Sequence, residues 1–255
     1  MPSQSKPSWS TKLALAFPAG SHVGSYLHLL LEHLDFQDPV EPQVLRLSAQ
    51  FSPRFNLDHE HWGESAARWM ARVIGTPLDD RGLTLAALPQ SRRLNELEFD
   101  FSTHRVDIRA LNRLLERASG EPLPPLEVEA FQGMLTGIID LVFEHQGRYY
   151  IADYKSNFLG SQFADYAPQP LRETVLERRY DLQYLLYTLA LERYLRQRVP
   201  GYDYSRHFAG VFYLFLRGMR PESGPRCGVY FDRPEPRLIA ELDETIFRCD
   251  PVTSA

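Results

Sequence analysis

Two aspartates and one lysine near the middle of the chain have the types and spacing for phosphoryl chemistry. They lie in MLTGIIDLVFEHQGRYYIADYKSN, which reads as two strands around a turn at Gln146-Gly147. If that dipeptide is a two-residue hairpin loop, His145 faces Arg148, Val142 faces Ile151 and Asp140 faces Asp153. Directly opposed residues on one sheet face have Cβ atoms about 4.5–5.5 Å apart. Two like charges so placed repel, and a divalent cation is the usual compensation; oxygen-only ligation suits Mg2+ or Mn2+. Lys155 follows Asp153 by two residues and projects from the same face. A cation there can hold or help deprotonate an attacking water and offset charge building on a phosphate. Two carboxylates, a lysine and a metal make a kit for phosphodiester hydrolysis. The bland alternative is that Asp153 and Lys155 are solvent-facing residues at a strand end. Asp140 resists it, because it interrupts the apolar run GIIDLVF, where a buried lone carboxylate is costly. The register depends on the turn, since one residue more or less flips every side chain.

The elements that must position these groups follow from periodicity. SHVGSYLHLLLEHLDF carries apolar residues at helical spacing from Val23 to Leu34, and WGESAARWMARVIG reads as a second helix ending at Gly75. LNELEFDF (94–101) alternates as a strand, and ASGEPLPP (118–125) is a loop. Residues 171–198 read as one long amphipathic helix, 207–219 as a strongly apolar strand, and 228–231 as a shorter strand. Helix, strand, hairpin, long helix and strand together predict an α/β layout around a mixed sheet. Residues 1–19 read as a flexible lead-in or linker. Residues 20–255 read as a single domain, mainly helical over 20–90, with the chemical core over 91–245.

Composition narrows the class. The chain has 255 residues, 44% hydrophobic and 24% charged, an ordinary globular mix. Its net charge of −5 does not advertise a nucleic-acid binder, although an acidic site that binds metal would contribute to it. Lys155 is the only lysine outside the first 12 residues. No phosphate-binding G-x-x-x-x-G-K-[ST] loop is present, which excludes a P-loop motor, and no apolar run is long enough for a membrane helix. Cys227 and Cys249 are too few for a four-cysteine cluster and read as inert thiols in a reducing cytoplasm.

GMLTGIIDLVFEHQGRYYIADYKSNFLG resembles the RecB-type nuclease domain, the C-terminal domain of exodeoxyribonuclease V β chains, in the PD-(D/E)XK superfamily. The similarity extends through YDLQYLLYTLALERYLRQR and YDYSRHFAGVFYLFLRGM, and back to FPAGSHVGSYLHLLLEHLDF. It implies a PD-(D/E)XK restriction-endonuclease-like core with an N-terminal helical region. Asp140 matches the first motif aspartate, and Asp153 with Lys155 matches D-x-K. The resemblance makes both aspartates metal ligands and the lysine catalytic. His28 falls in the G-x-x-x-H block, where the histidine is a metal ligand. Glu96 in NELEF looks like the upstream active-site glutamate, with Glu98 two residues on and on the same face. Gln183 and Tyr187 match Q-x-x-x-Y, which positions the DNA strand or supports the lysine. The implied cofactor is Mg2+, with Mn2+ as a substitute and Ca2+ as a non-productive one.

The implied activity is exonucleolytic hydrolysis of single-stranded or unwound DNA in double-strand break repair. The implied partners are the γ and α chains and the helicase part of the β chain. Two other readings stand beside it: a free-standing exonuclease of the Cas4 type lacking the iron–sulfur cluster, and a non-catalytic DNA- or protein-binding module. Several residues also have plainer readings. The stripe Tyr180, Gln183, Tyr184, Tyr187, Leu191, Tyr194 has the spacing of a helix core face. His59-Glu60-His61 reads as solvated surface, and Arg178, Arg179, Arg193, Arg196 and Arg198 as either a DNA path or a solvated helix face.

Overall fold

The computed structural model describes residues 13–126 and 130–247, so most of the expected N-terminal lead-in (1–12) and Cys249 lie outside the described residues. Four helices come first: α1 (Leu13–Ala16), α2 (Ser21–His33), α3 (Val40–Phe51) and α4 (His59–Ile74). Then follow β1 (Arg93–Asp107), α5 (Ile108–Ser119), β2 (Ala130–His145) and β3 (Arg148–Lys155). The chain continues through α6 (Pro168–Glu177), α7 (Tyr180–Arg198), α8 (Tyr204–His207), β4 (Phe208–Phe215), β5 (Val229–Asp232) and α9 (Pro236–Phe247). The strands form one sheet in the order β1-β2-β3-β4-β5. β1, β2 and β3 pair antiparallel. Arg148 donates to Phe208 O where β3 and β4 begin, and Leu216 N donates to Lys155 O where they end, so these two run parallel and the sheet is mixed. This is the α/β layout expected from the sequence.

The hairpin has the expected register. Gln146 (φ 53) and Gly147 (φ 76) both take the left-handed conformation of a type I′ turn, whose twist matches that of the flanking strands. His145 faces Arg148 and Val142 faces Ile151. β4 is buried at all eight positions, as a continuous apolar strand covered on both faces must be. The N-termini of α4 and α5 are set by aspartates: Asp58 accepts from Glu60 N and His61 N, and Asp107 from Arg109 N and Ala110 N.

Two sequence expectations need correction. The strand expected over 94–101 runs from Arg93 to Asp107, because alternation continues through Phe101 and Thr103 until Asp107 starts α5. The single helix expected over 171–198 is two helices, α6 and α7. Arg179 sits between them at φ 55, with its guanidinium on Asp181 at 3.1 Å and on Pro124 O. Apolar periodicity carries across this break because a one-residue left-handed step leaves the spacing of flanking residues almost intact. Helices α1, α3, α5, α8 and α9 are not among the elements expected from the sequence.

The chain divides into two compact units. One comprises 1–92, 154–171 and 213–230; the other comprises 93–153, 172–212 and 231–255. In the first, Trp69 is buried, donates its indole N–H to Leu216 O at 3.0 Å, and packs with Phe17 at 5.3 Å. Beside it Arg217 is fully buried. Its guanidinium donates to four main-chain carbonyls: Ala14 at 2.7 Å, Phe17 at 3.0 Å, Pro18 at 2.5 Å and Ser156 at 2.9 Å. Burial pulls its pKa below the usual arginine value. In the second unit Phe143, Tyr150 and Phe212 stack, while Phe101 of β1 meets Phe247 of α9 at 5.4 Å.

Arg217→Met keeps an apolar filler but strands four buried carbonyls. Such a loss costs about 3 kcal/mol or more. Equilibrium denaturation of the variant is therefore expected to show a large fall in stability, and a midpoint equal to wild type would refute the role of the guanidinium.

Candidate active site

In the second unit, three carboxylates line up across three neighbouring strands. The β1–β2 ladder pairs Asn95 with Leu141 and Leu97 with Ile139, which frames Glu96 opposite Asp140. The β2–β3 ladder pairs Leu141 with Ala152, and one further step in that register sets Asp140 opposite Asp153. Asp153 is 2% exposed. Glu98 belongs instead to the next rung, facing Ile138, and is exposed. Glu96 has φ 52, a left-handed conformation uncommon for a residue with a side chain. Such strain concentrates where function demands a particular side-chain direction. β1 thus departs from regular strand geometry at the residue that faces Asp140.

Helix α7 brings Gln183 and Tyr187 to this row. Gln183 donates to the Tyr187 hydroxyl at 2.7 Å, one helical turn along. Burial pushes the Tyr187 phenol above the ordinary tyrosine range, and the negative charge of Asp153 pushes the same way. The hydrogen bond from Gln183 opposes the rise, while Asp140 and Glu96 add smaller upward contributions. The phenol remains neutral at any working pH, its oxygen accepting from Gln183. The expected core stripe and the expected strand-positioning pair coincide here: Tyr184, Tyr187 and Leu191 are buried and Gln183 is half-buried.

Phe99 stands 5.9 Å from the Tyr187 ring. Across the ladder from Phe99 is Gly137, where an added Cβ would lie 2.4 Å from the aromatic ring. The glycine of G-x-x-D is therefore the floor on which Phe99 rests. An open groove of about 270 Å3 runs along this wall, lined by Phe99, Leu135, Gly137, Leu182, Gln183 and Leu186. A larger cleft of about 870 Å3 beside α5 and α9 contains none of the carboxylate row.

The first unit carries His28 and Lys155. His28, on α2, meets the ring of Tyr154 edge-on at 5.9 Å. One turn earlier, a Cβ on Gly24 would come within 2.8 Å of Ser156 Oγ, so the glycine of G-x-x-x-H lets α2 lie against the end of β3. The ammonium of Lys155 sits 4.7 Å from the centroid of the fully buried Tyr213 ring, a cation–π contact that directs the side chain. β3 is common to both sets. Asp153 and Lys155 are two residues apart on it and share one face by strand alternation.

The donor set suits a hard divalent cation, which takes carboxylate oxygens. Among the described residues no three His, Cys, Asp or Glu side chains gather closely enough to hold an ion alone. Mg2+ does not demand such a cage; it is held by one or two carboxylates and completes its shell with water and phosphate oxygens. The other candidates fall elsewhere. His59-Glu60-His61 is the first turn of α4, with His59 Nδ1 3.0 Å from Ser48 Oγ. Arg193 pairs with Asp243 and Arg196 with Glu192, while Arg198 lies over Tyr194. Cys227 is buried and its thiol is pushed up by burial, as an inert thiol should be.

The strained geometry at Glu96 gives a prediction. Glycine tolerates φ near +50° without penalty, whereas alanine retains it. Glu96→Gly is expected to be more stable than Glu96→Ala by about 1 kcal/mol, read as the difference between their melting temperatures. Equal melting temperatures would show that the position is unstrained.

The family model described as the PD-(D/E)XK nuclease superfamily matches residues 12–248. The RecBCD enzyme subunit RecB of Haemophilus influenzae is 44% identical over 234 residues, 90% of this chain and 19% of that protein. The RecB subunit of Escherichia coli is 42% identical over 89% of this chain and 19% of its own length. That of Mycobacterium tuberculosis is 32% identical over 91% and 24%. The chain thus spans about a fifth of the length of the first two relatives, 19% of each. By this match the chain belongs to the PD-(D/E)XK nuclease superfamily, as a RecB-type nuclease domain.

Proposed function

We propose that this chain hydrolyses DNA phosphodiester bonds with Mg2+, acting as an exonuclease on single-stranded or freshly unwound DNA. The observation that carries this reading is the row Glu96, Asp140, Asp153 on adjacent strands, with Lys155 two residues beyond Asp153 on the same face. Asp140 and Asp153, with His28 beside them, are the residues that would hold Mg2+, which would supply Lewis-acid stabilisation of charge on the phosphate. Lys155, directed by Tyr213, orients the attacking water and offsets charge on the non-bridging oxygens. Glu96 accepts a hydrogen bond from water in the same row. Tyr187, kept neutral and oriented by Gln183, donates to the strand. The products are a 5′-phosphate and a 3′-hydroxyl.

The RecB relatives are named as subunits of a RecBCD enzyme. By that likeness the domain works in the cytoplasm beside the helicase part of the β chain and the γ and α chains, in repair of double-strand breaks. No described helix is long and apolar enough to cross a membrane.

The test is cleavage of end-labelled single-stranded and duplex DNA by the purified chain in Mg2+, Ca2+ or EDTA. Cleavage is expected only with Mg2+ among these. Lys155→Ala is expected to lower kcat about 10^2- to 10^3-fold, the scale for losing one group that stabilises transition-state charge, with DNA affinity little changed. Asp153→Ala is expected to abolish cleavage; full Mg2+-dependent activity in that variant would overturn the assignment.

A further inference from the structure

Just beyond the D-x-K strand, the first unit presents a large aromatic side chain to solvent: Phe158 is 48% exposed. A single exposed aromatic is ordinary on a protein surface. What distinguishes this one is how firmly the backbone on both sides is held. Lys155 O accepts from Leu216 N at 2.9 Å, and Ser156 O from the buried Arg217 guanidinium at 2.9 Å. The hydroxyl of Tyr166, itself fully buried, accepts from Leu159 N at 3.1 Å and donates to Asn157 O at 3.3 Å. The main chain is thus anchored at residues 155, 156, 157 and 159. The ring between these anchors has the Arg217 guanidinium 5.8 Å from its centroid. A loop free to move could fold the phenyl group inward. Here the anchoring polar groups come from the core, and they fix the backbone that carries the ring, three residues from Lys155.

We propose that Phe158 is a stacking platform for an unpaired nucleobase of the strand being cleaved, and so a positioning residue for the reaction. The inference rests on the nuclease reading above. Proteins that hold single strands without regard to sequence use aromatic faces in this way, because every base has a π-face and the contact needs no particular hydrogen-bonding edge. A rigid ring loses little freedom when a base stacks on it, so the contact contributes to strand affinity. A base seated there holds the strand equally in the bound and the transition state, so the contact is read in KM and Kd rather than in kcat.

The experiment compares wild type with Phe158→Ala, Phe158→Leu and Phe158→Trp. It measures KM and kcat on a single-stranded oligonucleotide in Mg2+, and Kd for the same oligonucleotide in Ca2+ by fluorescence anisotropy. Phe158→Ala and Phe158→Leu are expected to raise KM and Kd about 5- to 150-fold, the range for losing one base–aromatic stack. Their kcat and melting temperature stay close to wild type, and Phe158→Trp restores KM and Kd. An oligonucleotide with an abasic site at the stacked position is expected to bind wild type more weakly, with no added loss for Phe158→Ala, as a shared contact requires. An unchanged Kd in Phe158→Ala, a leucine variant that binds like wild type, or additive losses on the abasic strand would each overturn the proposal. Absence of Mg2+-dependent cleavage by wild type would overturn the nuclease reading instead, and the Kd comparison would still decide the role of the ring.

Discussion

Carboxylates from three adjacent strands share one row, and their mutual repulsion is the constraint around which the second unit is organised. Two unit charges about 5 Å apart at an effective dielectric of about 20 repel by roughly 3 kcal/mol. Such a row persists only if the scaffold holds each member in place and an opposite charge is expected there. The scaffold does so through backbone geometry. A type I′ turn sets Asp140 against Asp153, and the ladder around Asn95 and Leu97 sets Glu96 against Asp140. Tyr187 and Gln183 of α7 add a hydrogen bond beside the row without adding charge. A domain with a net charge of −5 that concentrates acids in this way has a local need for cations.

The first unit solves a different problem, the placement of a lysine and of the chain just after it. Its supports are buried polar groups that bond to main chain rather than to one another. Arg217 collects carbonyls from two stretches far apart in sequence, and Tyr166 bridges Asn157 and Leu159. Buried polar groups of this kind contribute to a unique arrangement only when their hydrogen bonds are made, so the same contacts that satisfy them also define the loop. Small residues serve the same end. Gly24 admits Ser156 and Gly137 admits Phe99, and in both cases the motif glycine marks a close approach rather than a flexible joint.

Much of the site was legible in the sequence because its information is local. A two-residue turn between alternating strands dictates which side chains face each other, so spacing alone sets Asp140, Asp153 and Lys155 on one face. The interrupted apolar run at Asp140 was a further sign, since a carboxylate there must have a reason. The mixed sheet and helices α2 and α4 also followed from periodicity. The break at Arg179 did not, because a single left-handed residue barely disturbs the spacing of apolar side chains. The full length of β1 was missed because its outer half alternates with polar residues that read equally well as loop.

The sequence by itself determined the chemical groups, the hairpin register and the membership of Asp140, Asp153 and Lys155 in one strand pair, because hydrogen-bonded neighbours on a hairpin are set by turn length. Only the tertiary structure decided that Glu96 rather than Glu98 stands opposite Asp140, that Gln183 and Tyr187 close on the carboxylates, and that Arg217 and Tyr166 anchor the chain around Phe158. Apart from the Tyr166 contacts, these join residues tens to hundreds of positions apart. Their partners are chosen by how helices and strands pack in space, which no local spacing in the chain encodes.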